Sequence, residues 1–315
     1  MPRGQAHPES VIRTDAGREV QIKVHQCVWS GELPENSLPA ILECYREHVA
    51  RAEVDVAILR DADFLIVHDL DLAKATDGTG RVDETTRGAS QEVRLVTHAG
   101  QRTSERPPLL SELVSAIAAE KYPTILELDL KDWQPWPWPR VEELARLLEP
   151  VKDRITFGGV ADWNLRRLAH VDPSLSLGFT ITQYLDWVPE GSKPDAIPGV
   201  RGAYGYLDAH PLARSVYGPT ADYLRDRLSG LLRLVPGTRD LHVRLLAVER
   251  MLSDGFDDLA DLVHDSGAAL DVWTLNAGTP NWRARLDRAV AFGADVITSG
   301  TPRELARAYF QRDSD

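Results

Sequence analysis

The sequence predicts a (β/α)8 TIM barrel, formed as one domain over residues 1–315. Strand-like and helix-like stretches alternate along the whole chain, which is typical of a parallel sheet covered by helices. About eight core strands can be counted, which is the number that closes such a barrel. No glycine-rich nucleotide-binding loop follows the first strand, so a doubly wound dinucleotide-binding sheet is disfavoured.

The elements follow one another in a regular order. Residues 1–20 are predicted to form an N-terminal extension, and a hairpin with a glycine-containing turn is predicted over 11–22. One strand candidate too many lies between residues 199 and 248. The strand-like stretches are 20–28, 51–59, 64–69, 124–131, 154–160, 175–181, 199–208, 241–248, 269–275 and 295–300. The helix-like stretches are 37–50, 109–120, 140–151, 161–171, 221–235, 249–266, 281–293 and 302–312.

Local signals add detail to this outline. Ser37 or Asn36 can cap the helix predicted over 37–50. The stretches 70–108 and 183–220 are long and irregular, and we expect them to be loops or an inserted subdomain. Because the active site of a barrel is built by the loops at the carboxyl ends of its strands, these stretches are expected at the catalytic face.

Composition excludes several classes of protein. The net charge of −12 argues against nucleic acid or an anionic membrane as the main partner. No apolar run is long enough to span a bilayer, and the first ten residues lack the apolar core of a signal peptide. Two cysteines are too few for a disulfide scaffold or a zinc cluster. We therefore expect a cytoplasmic protein without stable membrane association, and the sequence leaves its oligomeric state open.

The stretch TILELDLKD places three charged residues on one face of a strand. Glu127, Asp129 and Lys131 alternate with leucines, so their side chains point in the same direction. Buried charges require a partner or a metal ion. Two interpretations follow: an ion pair in the barrel core with Lys131 satisfying the acids, or a ligand-binding site.

The order of polar residues along the chain favours a site. The first strand carries His25, whereas Glu53 and Asp55 share a face of the second, and the next β segment ends in His68-Asp69. If these strands are neighbours, the groups meet at one end of the barrel together with the acids of TILELDLKD. Clustered carboxylates cannot all ionise without compensation, and Mg²⁺ or Ca²⁺ prefers such oxygen ligands. The two histidines suit acid and base catalysis.

This order of motifs resembles the glycerophosphodiester phosphodiesterase family, within the superfamily of phospholipase-C-like phosphodiesterase barrels. The resemblance runs from about residue 20 to 310, and it is weakest between 160 and 265. The matching segments are VHQC (24–27), PENS (34–37), EVDVAILRDADFLIVHDLDL (53–72), ATDGTGRV (75–82), PPLLSEL (107–113), LELDLK (126–131), VWTLN (272–276) and GADVITSGTP (293–302).

The resemblance implies roles for the polar residues. His25 and His68 would flank the scissile phosphodiester, with Lys131 near the phosphate. Glu35 and Asn36 match a motif that positions the metal and the first loop, although a capping role for Asn36 remains an alternative. The implied ligands of one divalent cation, Mg²⁺ or Ca²⁺, are Glu53, Asp55 and Asp129, with Glu127 either a further ligand or one layer deeper.

The chain departs from the family pattern at several positions. The usual His-Arg-Gly is His25-Gln26-Cys27, so Gln26 stands where an arginine normally binds phosphate, and a glutamine does not reproduce its forked geometry. Asp129 replaces the usual glutamate, as in the related spider-venom phospholipase D barrels, whose reaction is a cyclising transfer. Ser299 replaces an aspartate. Lys23 and Arg244 are candidate compensating cations, with Lys23 expected in a lower barrel layer.

Aromatic residues provide the remaining candidates for substrate binding. Trp133, Trp136 and Trp138 follow the TILELDLKD strand and are expected to form an aromatic lip that stacks on the alcohol of the substrate. A packed loop or a dimer contact is the alternative. Trp273 matches an aromatic residue of the family's pocket floor, and core packing is its alternative.

The sequence thus predicts a metal-dependent phosphodiesterase. A glycerophosphodiester, or a related small phosphodiester, would be hydrolysed to a phosphomonoester and an alcohol by two-histidine acid–base catalysis. Two alternatives stay open: a cyclising phosphodiester lyase, and a degenerate barrel that binds a phosphorylated ligand without turnover. The alcohol of the diester, and the choice between Mg²⁺ and Ca²⁺, are not determined by these residues.

Overall fold

The computed structural model describes residues 5–97, 100–187, 204 and 218–311. Within these residues, the β-strands form one ten-stranded sheet in the order β1-β2-β10-β9-β8-β7-β6-β5-β3-β4. The strands are β1 (Val11–Arg13), β2 (Glu19–Val24), β3 (Arg51–Ile58), β4 (Phe64–Ile66), β5 (Ile125–Leu130), β6 (Ile155–Gly159), β7 (Ser176–Thr180), β8 (Thr238–Arg244), β9 (Ala269–Trp273) and β10 (Val296–Ser299).

Eight of these strands close into a barrel, which confirms the predicted fold class. Each neighbouring pair in the order β2-β10-β9-β8-β7-β6-β5-β3 is parallel, and β2 also pairs with β3, so that these eight strands close into a ring. The strand β1 lies antiparallel to β2 outside this ring, which confirms the predicted N-terminal hairpin. The carboxyl ends of the eight strands therefore meet at one end of the barrel.

The stretch 64–69 behaves differently from the sequence expectation. Its strand, β4, is not a member of the barrel but pairs antiparallel with the end of β3. The tight reversal between them returns the chain over the barrel end, where the Val67 N–H donates to the Asp55 carbonyl at 3.0 Å. His68 is thus delivered to the mouth by a hairpin rather than by the end of a barrel strand.

Two further boundaries require correction. The apolar stretch 241–248 divides at Arg244, where β8 ends and a helix begins, because LLAV covers the outside of the sheet rather than extending it. The predicted helix 249–266 is two helices separated by a turn at Gly255, whose φ of 83° is readily adopted by glycine. Apart from Tyr204, the predicted strand 199–208 lies outside the described residues.

The helices bury apolar faces against the outside of the sheet. The first one begins after Ser37, whose hydroxyl accepts the Ala40 N–H at 3.3 Å, so Ser37 and not Asn36 is the cap. The helices are α1 (Leu38–Arg46), α2 (Leu72–Ala75), α3 (Arg87–Ser90), α4 (Leu110–Ala118), α5 (Trp138–Leu148), α6 (Asp162–Val171), α7 (Thr220–Leu232), α8 (Leu245–Ser253), α9 (Leu259–Asp265), α10 (Trp282–Phe292) and α11 (Pro302–Gln311). Across the described ranges, none of them has the length and apolar character needed to cross a bilayer.

The inside of the barrel is unusually polar. Barrel interiors are normally filled by branched apolar side chains. Here Arg51 makes a two-pronged contact with Asp240, at 2.9 and 3.2 Å, near the amino ends of the strands. Two further groups of charged residues lie above this pair, and the uppermost one opens at the carboxyl ends of the strands.

Candidate active site

Three carboxylates and one lysine converge at the mouth of the barrel. We call Glu53, Asp55, Asp129 and Lys131 the mouth cluster. Alternation places the acids of β3 and β5 on the inner face, and the register aligns Asp55 with Asp129. One oxygen from each of the three carboxylates lies within 4.8 Å of the others. Lys131 Nζ lies 2.7 Å from both Asp55 Oδ1 and Asp129 Oδ2.

The loop after β2 holds the two acids of β3 in place. Gln26 donates its backbone N–H to Glu53 Oε2 at 2.8 Å and its side-chain amide to Asp55 Oδ2 at 2.9 Å. Asn36 donates to the same Asp55 oxygen at 2.7 Å and accepts the Asp55 N–H at 3.1 Å. Both side chains therefore orient a carboxylate, and the Gln26 amide is directed into the mouth cluster.

This loop adopts left-handed backbone conformations. Gln26 and Cys27 have φ values of 51° and 56°, in the region that favours glycine. Cys27 is fully buried, and its thiol donates to the Glu53 carbonyl at 3.5 Å. The residue that replaces the family's glycine thus occupies the backbone conformation that a glycine adopts most easily.

Two histidines face the same cavity as the mouth cluster. His25, His68, Asp129 and Lys131 line a central cavity of about 120 Å³. Burial lowers the pKa of His25 to about 4, despite the opposing effect of the Asp55 carboxylate. His68 Nδ1 lies 3.2 Å from Asp69 Oδ2. A hydrogen bond there leaves Nε2 of His68 to face a ligand.

The mouth cluster has an excess of negative charge. When all three carboxylates are ionised, they face one lysine, which leaves two negative charges without a partner inside the cluster. Burial and repulsion from Asp55 and Asp129 raise the pKa of Glu53 well above its ordinary value. Burial also opposes ionisation of Asp55, but Lys131 outweighs it and lowers the pKa. A hard divalent cation fits this donor set, because carboxylate oxygens are its preferred ligands and its charge balances the excess.

A second charged group lies beneath the mouth. We call Lys23, Glu127, His242 and Asp271 the buried tetrad. Lys23 Nζ lies 2.5 Å from Asp271 Oδ2 and 2.7 Å from Glu127 Oε2. His242 Nε2 lies 3.3 Å from the same Glu127 oxygen, and its Nδ1 lies 3.1 Å from the Thr180 hydroxyl. Glu127 is therefore placed with the tetrad, although it also borders the central cavity.

The buried tetrad differs from the mouth cluster in its charge. Burial disfavours the imidazolium form of His242, but the Glu127 carboxylate outweighs it and raises the pKa. With His242 protonated, two cations face two carboxylates and the tetrad is neutral. Three of its members, Glu127, His242 and Asp271, have the spacing of a metal site. Lys23 already contacts two of them, so the donor set favours an ion-pair network over a metal ion.

The three tryptophans that follow β5 differ in exposure and in their contacts. Trp133 is 40% exposed and borders a side cavity next to the histidines, whereas Trp136 is buried against Phe64, which corrects its assignment to an exposed lip. Trp138 is exposed but contacts Arg167 and His170.

Trp273 borders the central cavity, and the Arg244 guanidinium lies 5.0 Å from its ring centre. Arg244 also contacts Asp186 at 3.2 Å. Glu35 lies with His25 and His68 along a wide groove outside the mouth. Lys23 lies in the lower layer, as the sequence indicated, where its ammonium group contacts Glu127 and Asp271.

Comparison with known proteins identifies the family of this chain. The profile of the glycerophosphoryl diester phosphodiesterase family matches residues 29–303. The chain belongs to this family. The match confirms the resemblance found in the sequence motifs. It covers every barrel strand except β2, and it also leaves out β1, the hairpin partner of β2.

Relatives within the glycerophosphoryl diester phosphodiesterase family are distant. A glycerophosphodiester phosphodiesterase of Caldanaerobacter subterraneus is 23% identical over 155 residues, which is 47% of this chain and 62% of that protein. A glycerophosphoryl diester phosphodiesterase structure from Parabacteroides distasonis superposes with a TM-score of 0.61 and 20% identity, over 96% of this chain and 90% of that one.

A third comparison concerns a structure with a bound product. An Oleispira antarctica phosphodiesterase in complex with sn-glycerol-3-phosphate gives a TM-score of 0.62 and 17% identity, over 91% and 96% of the two chains. At these low sequence identities, the superpositions show that this chain has the same fold as the two solved structures, and they show no more than the fold.

Several residues that form the site were not identified from sequence patterns. His242 and Asp240 alternate along β8 in the same way as the acids of β5, but reading 241–248 as one strand obscured that pattern. Asp271 stands two residues before Trp273 and shares its face. Arg81 carries no local signal, because only the folding of the long 70–108 segment brings it to the side cavity.

Proposed function

We propose that this protein is a divalent-cation-dependent phosphodiesterase that hydrolyses a small glycerophosphodiester to a phosphomonoester and an alcohol. One observation carries the proposal: His25, His68 and three members of the mouth cluster, Glu53, Asp129 and Lys131, border a single cavity. Family membership supports phosphodiester chemistry, and a product-bound relative holds sn-glycerol-3-phosphate.

The cation would be Mg²⁺ or Ca²⁺, held by Glu53, Asp55 and Asp129. When bound, it supplies Lewis-acid stabilisation of the phosphate's negative charge. Gln26 and Asn36 keep the Asp55 carboxylate oriented toward that position through their hydrogen bonds. Such outer-shell partners commonly contribute 10- to 100-fold to metal affinity or activity.

The two histidines would divide the proton transfers. One accepts the proton of the attacking hydroxyl or water, and the other donates a proton to the leaving alcohol oxygen. Asp69 contacts His68 Nδ1, which orients the ring and keeps Nε2 free for this exchange. Lys131 lies 11% exposed between two carboxylates and would add positive charge beside the phosphate.

Phosphorus NMR tests this function directly. The purified protein would be incubated with glycerophosphocholine, glycerophosphoinositol and a lysophospholipid, each with Mg²⁺, Ca²⁺ or a chelator. We expect a phosphomonoester signal that requires the metal and disappears in His25→Ala. His264→Ala is the matched control, because His264 contacts Asp295 at the opposite end of the barrel and should retain activity.

Other outcomes lead to different functions. A cyclic phosphate that persists would support the cyclising lyase, for which Asp129 in place of the family's usual glutamate is the supporting residue. Metal binding without turnover of any diester would contradict the hydrolase and support a binding-only barrel. The first substitution to test would then be Gln26→Arg, which restores the arginine that follows the first histidine in the family pattern.

A further inference from the structure

A second cavity opens beside the reaction centre and is not used by the chemistry described above. It measures about 230 Å³, against about 120 Å³ for the central cavity. His68, Asp129 and Lys131 border both cavities, so the two are adjacent at the position expected for the phosphate. A phosphodiester carries two ester arms, and the side cavity lies where one arm would leave the reaction centre.

Trp133 forms one wall of the side cavity and is held by a hydrogen-bonded loop. The buried Asn164 side chain donates to the carbonyls of Asp132 and Gln134, at 3.2 and 3.1 Å, and accepts the Trp136 N–H at 2.9 Å. This loop therefore has a defined conformation before a ligand binds. Preorganisation of this kind lowers the entropic cost of binding.

A second segment that lines the side cavity is also hydrogen-bonded. Asp71 and Arg81 pair as an antiparallel bridge, and the Leu72 N–H donates to the Gly80 carbonyl at 2.9 Å. The Arg81 guanidinium is fixed by two contacts with Asp83, at 2.8 and 2.9 Å. The side cavity is thus lined by an indole ring and by charged side chains of a hydrogen-bonded segment.

The charges around the side cavity are mixed. Three cationic side chains, Lys74, Arg81 and Lys131, face three carboxylates, those of Asp69, Asp71 and Asp129. A quaternary ammonium group would meet three like charges as well as three opposite ones, and the same holds for an anionic group, so neither charge is clearly favoured. An acyl chain would desolvate both without returning hydrogen bonds. Hydroxyl groups can donate to the acids and accept from Arg81 and Lys74, while a ring's carbon face packs on Trp133.

We propose that the side cavity binds the alcohol arm of the substrate and that this arm is an uncharged cyclic polyol, such as a sugar or cyclitol, stacked on Trp133. This inference rests on the proposed function for the position of the phosphate. It adds a substrate class and a specificity-determining residue, Trp133, that lies outside the metal and histidine groups.

The kinetic test compares alcohols in matched diesters. The wild type, Trp133→Leu and Trp138→Leu would be assayed with glycerophosphoinositol, glycerophosphocholine and the methyl diester of glycerophosphate. We expect the wild type to prefer the inositol ester, and Trp133→Leu to lose about tenfold in kcat/KM for that ester alone. Trp138 is the control, since it is exposed in the same segment but contacts Arg167 and His170.

A binding test separates failure of this inference from failure of the proposed function. Saturation-transfer NMR with free myo-inositol, and with choline as competitor, needs no turnover. Loss of the inositol signal in Trp133→Leu but not in Trp138→Leu supports the subsite, even if no diester is cleaved. An unchanged signal in Trp133→Leu, a stronger signal from choline, or equal kcat/KM values for all three esters would overturn it.

Discussion

Two glutamates on neighbouring strands have opposite electrostatic roles. Glu53 and Glu127 are register partners on β3 and β5, and both are almost fully buried, at 4% and 3% exposure. The pKa of Glu53 is raised by burial and by repulsion from Asp55 and Asp129. Burial also opposes ionisation of Glu127, but His242 and Lys23 outweigh it and lower the pKa.

The difference shows that clustered acids alone do not identify a cation site. Both glutamates belong to groups with metal-like spacing, and the groups differ in the cations already present. The buried tetrad contains its own positive charges, whereas the mouth cluster has two negative charges in excess once its three carboxylates are ionised. A divalent cation is therefore expected at the mouth and not in the tetrad, and the following substitutions test that distinction.

The largest effect on stability is expected from Glu127→Gln. This change keeps the shape of the side chain but removes one of two acids that compensate Lys23 and His242. Breaking one partner of a buried ion pair typically costs about 3–5 kcal/mol, because the remaining charge stays buried without compensation. Urea-induced unfolding should show this loss, while a metal-induced increase in melting temperature should persist.

A double variant sharpens the same point. Adding Lys23→Met to Glu127→Gln removes the uncompensated cation, so most of the lost stability should return. Arg13→Met is the surface control, since its pair with Glu19 is well exposed and should contribute at most about 1 kcal/mol. Equal instability of the single and double variants would contradict a charge-balanced tetrad.

Glu53→Gln should give the reverse result. The substitution removes a charge that its neighbours repel, and glutamine can still accept the Gln26 N–H. We expect the free energy of unfolding without metal to stay within about 1 kcal/mol of the wild type, because repulsion from Asp55 and Asp129 opposes the attraction between Glu53 and Lys131. Turnover should fall by at least about 100-fold, since the substitution removes a proposed ligand of the cation.

Metal titration provides the second readout for Glu53→Gln. Binding of Mg²⁺ or Ca²⁺ at 100 times its dissociation constant should stabilise the wild type by about 2.7 kcal/mol. That stabilisation should be lost in Glu53→Gln and retained in Glu127→Gln. The opposite pattern would move the cation site into the tetrad.

Sequence patterns alone were sufficient to predict the fold class and the strands that carry the acids of the mouth cluster. Alternation of elements predicted the barrel, and the ExD pattern on β3 placed Glu53 and Asp55 on one face. Such patterns are local, so they survive without knowledge of the tertiary structure. The same logic indicated that Lys23 would lie in a lower layer.

The remaining features depend on contacts that no local pattern records. Glu127 and Asp129 share a face of β5, yet their partners come from different strands, so the sequence left the role of Glu127 open. His68 was expected at the end of a barrel strand, but a three-residue antiparallel strand delivers it. Trp133 and Trp136 look equivalent in the sequence, and only packing against Phe64 separates them.

The smallest effect concerns the pH dependence of the buried tetrad. The pKa of His242 in the folded protein is raised above its ordinary value of 6.5. Its stabilising contribution should therefore be fully present below pH 6.5 and be lost as pH rises through the folded-state pKa. For one proton, the slope is at most about 1.4 kcal/mol per pH unit. His242→Gln should remove that slope.

The comparison requires unfolding free energies at several pH values between 6.5 and 9. His25 does not interfere in this range, because burial lowers its pKa to about 4. Asp132, whose pKa burial raises to about 7, contributes equally to both proteins and cancels in the difference. His170→Gln, at an exposed position on α6, controls for the loss of a histidine. If the wild type and His242→Gln have parallel pH profiles, His242 is neutral in the folded protein. The tetrad would then carry one negative charge, and its contrast with the mouth cluster would be one of degree.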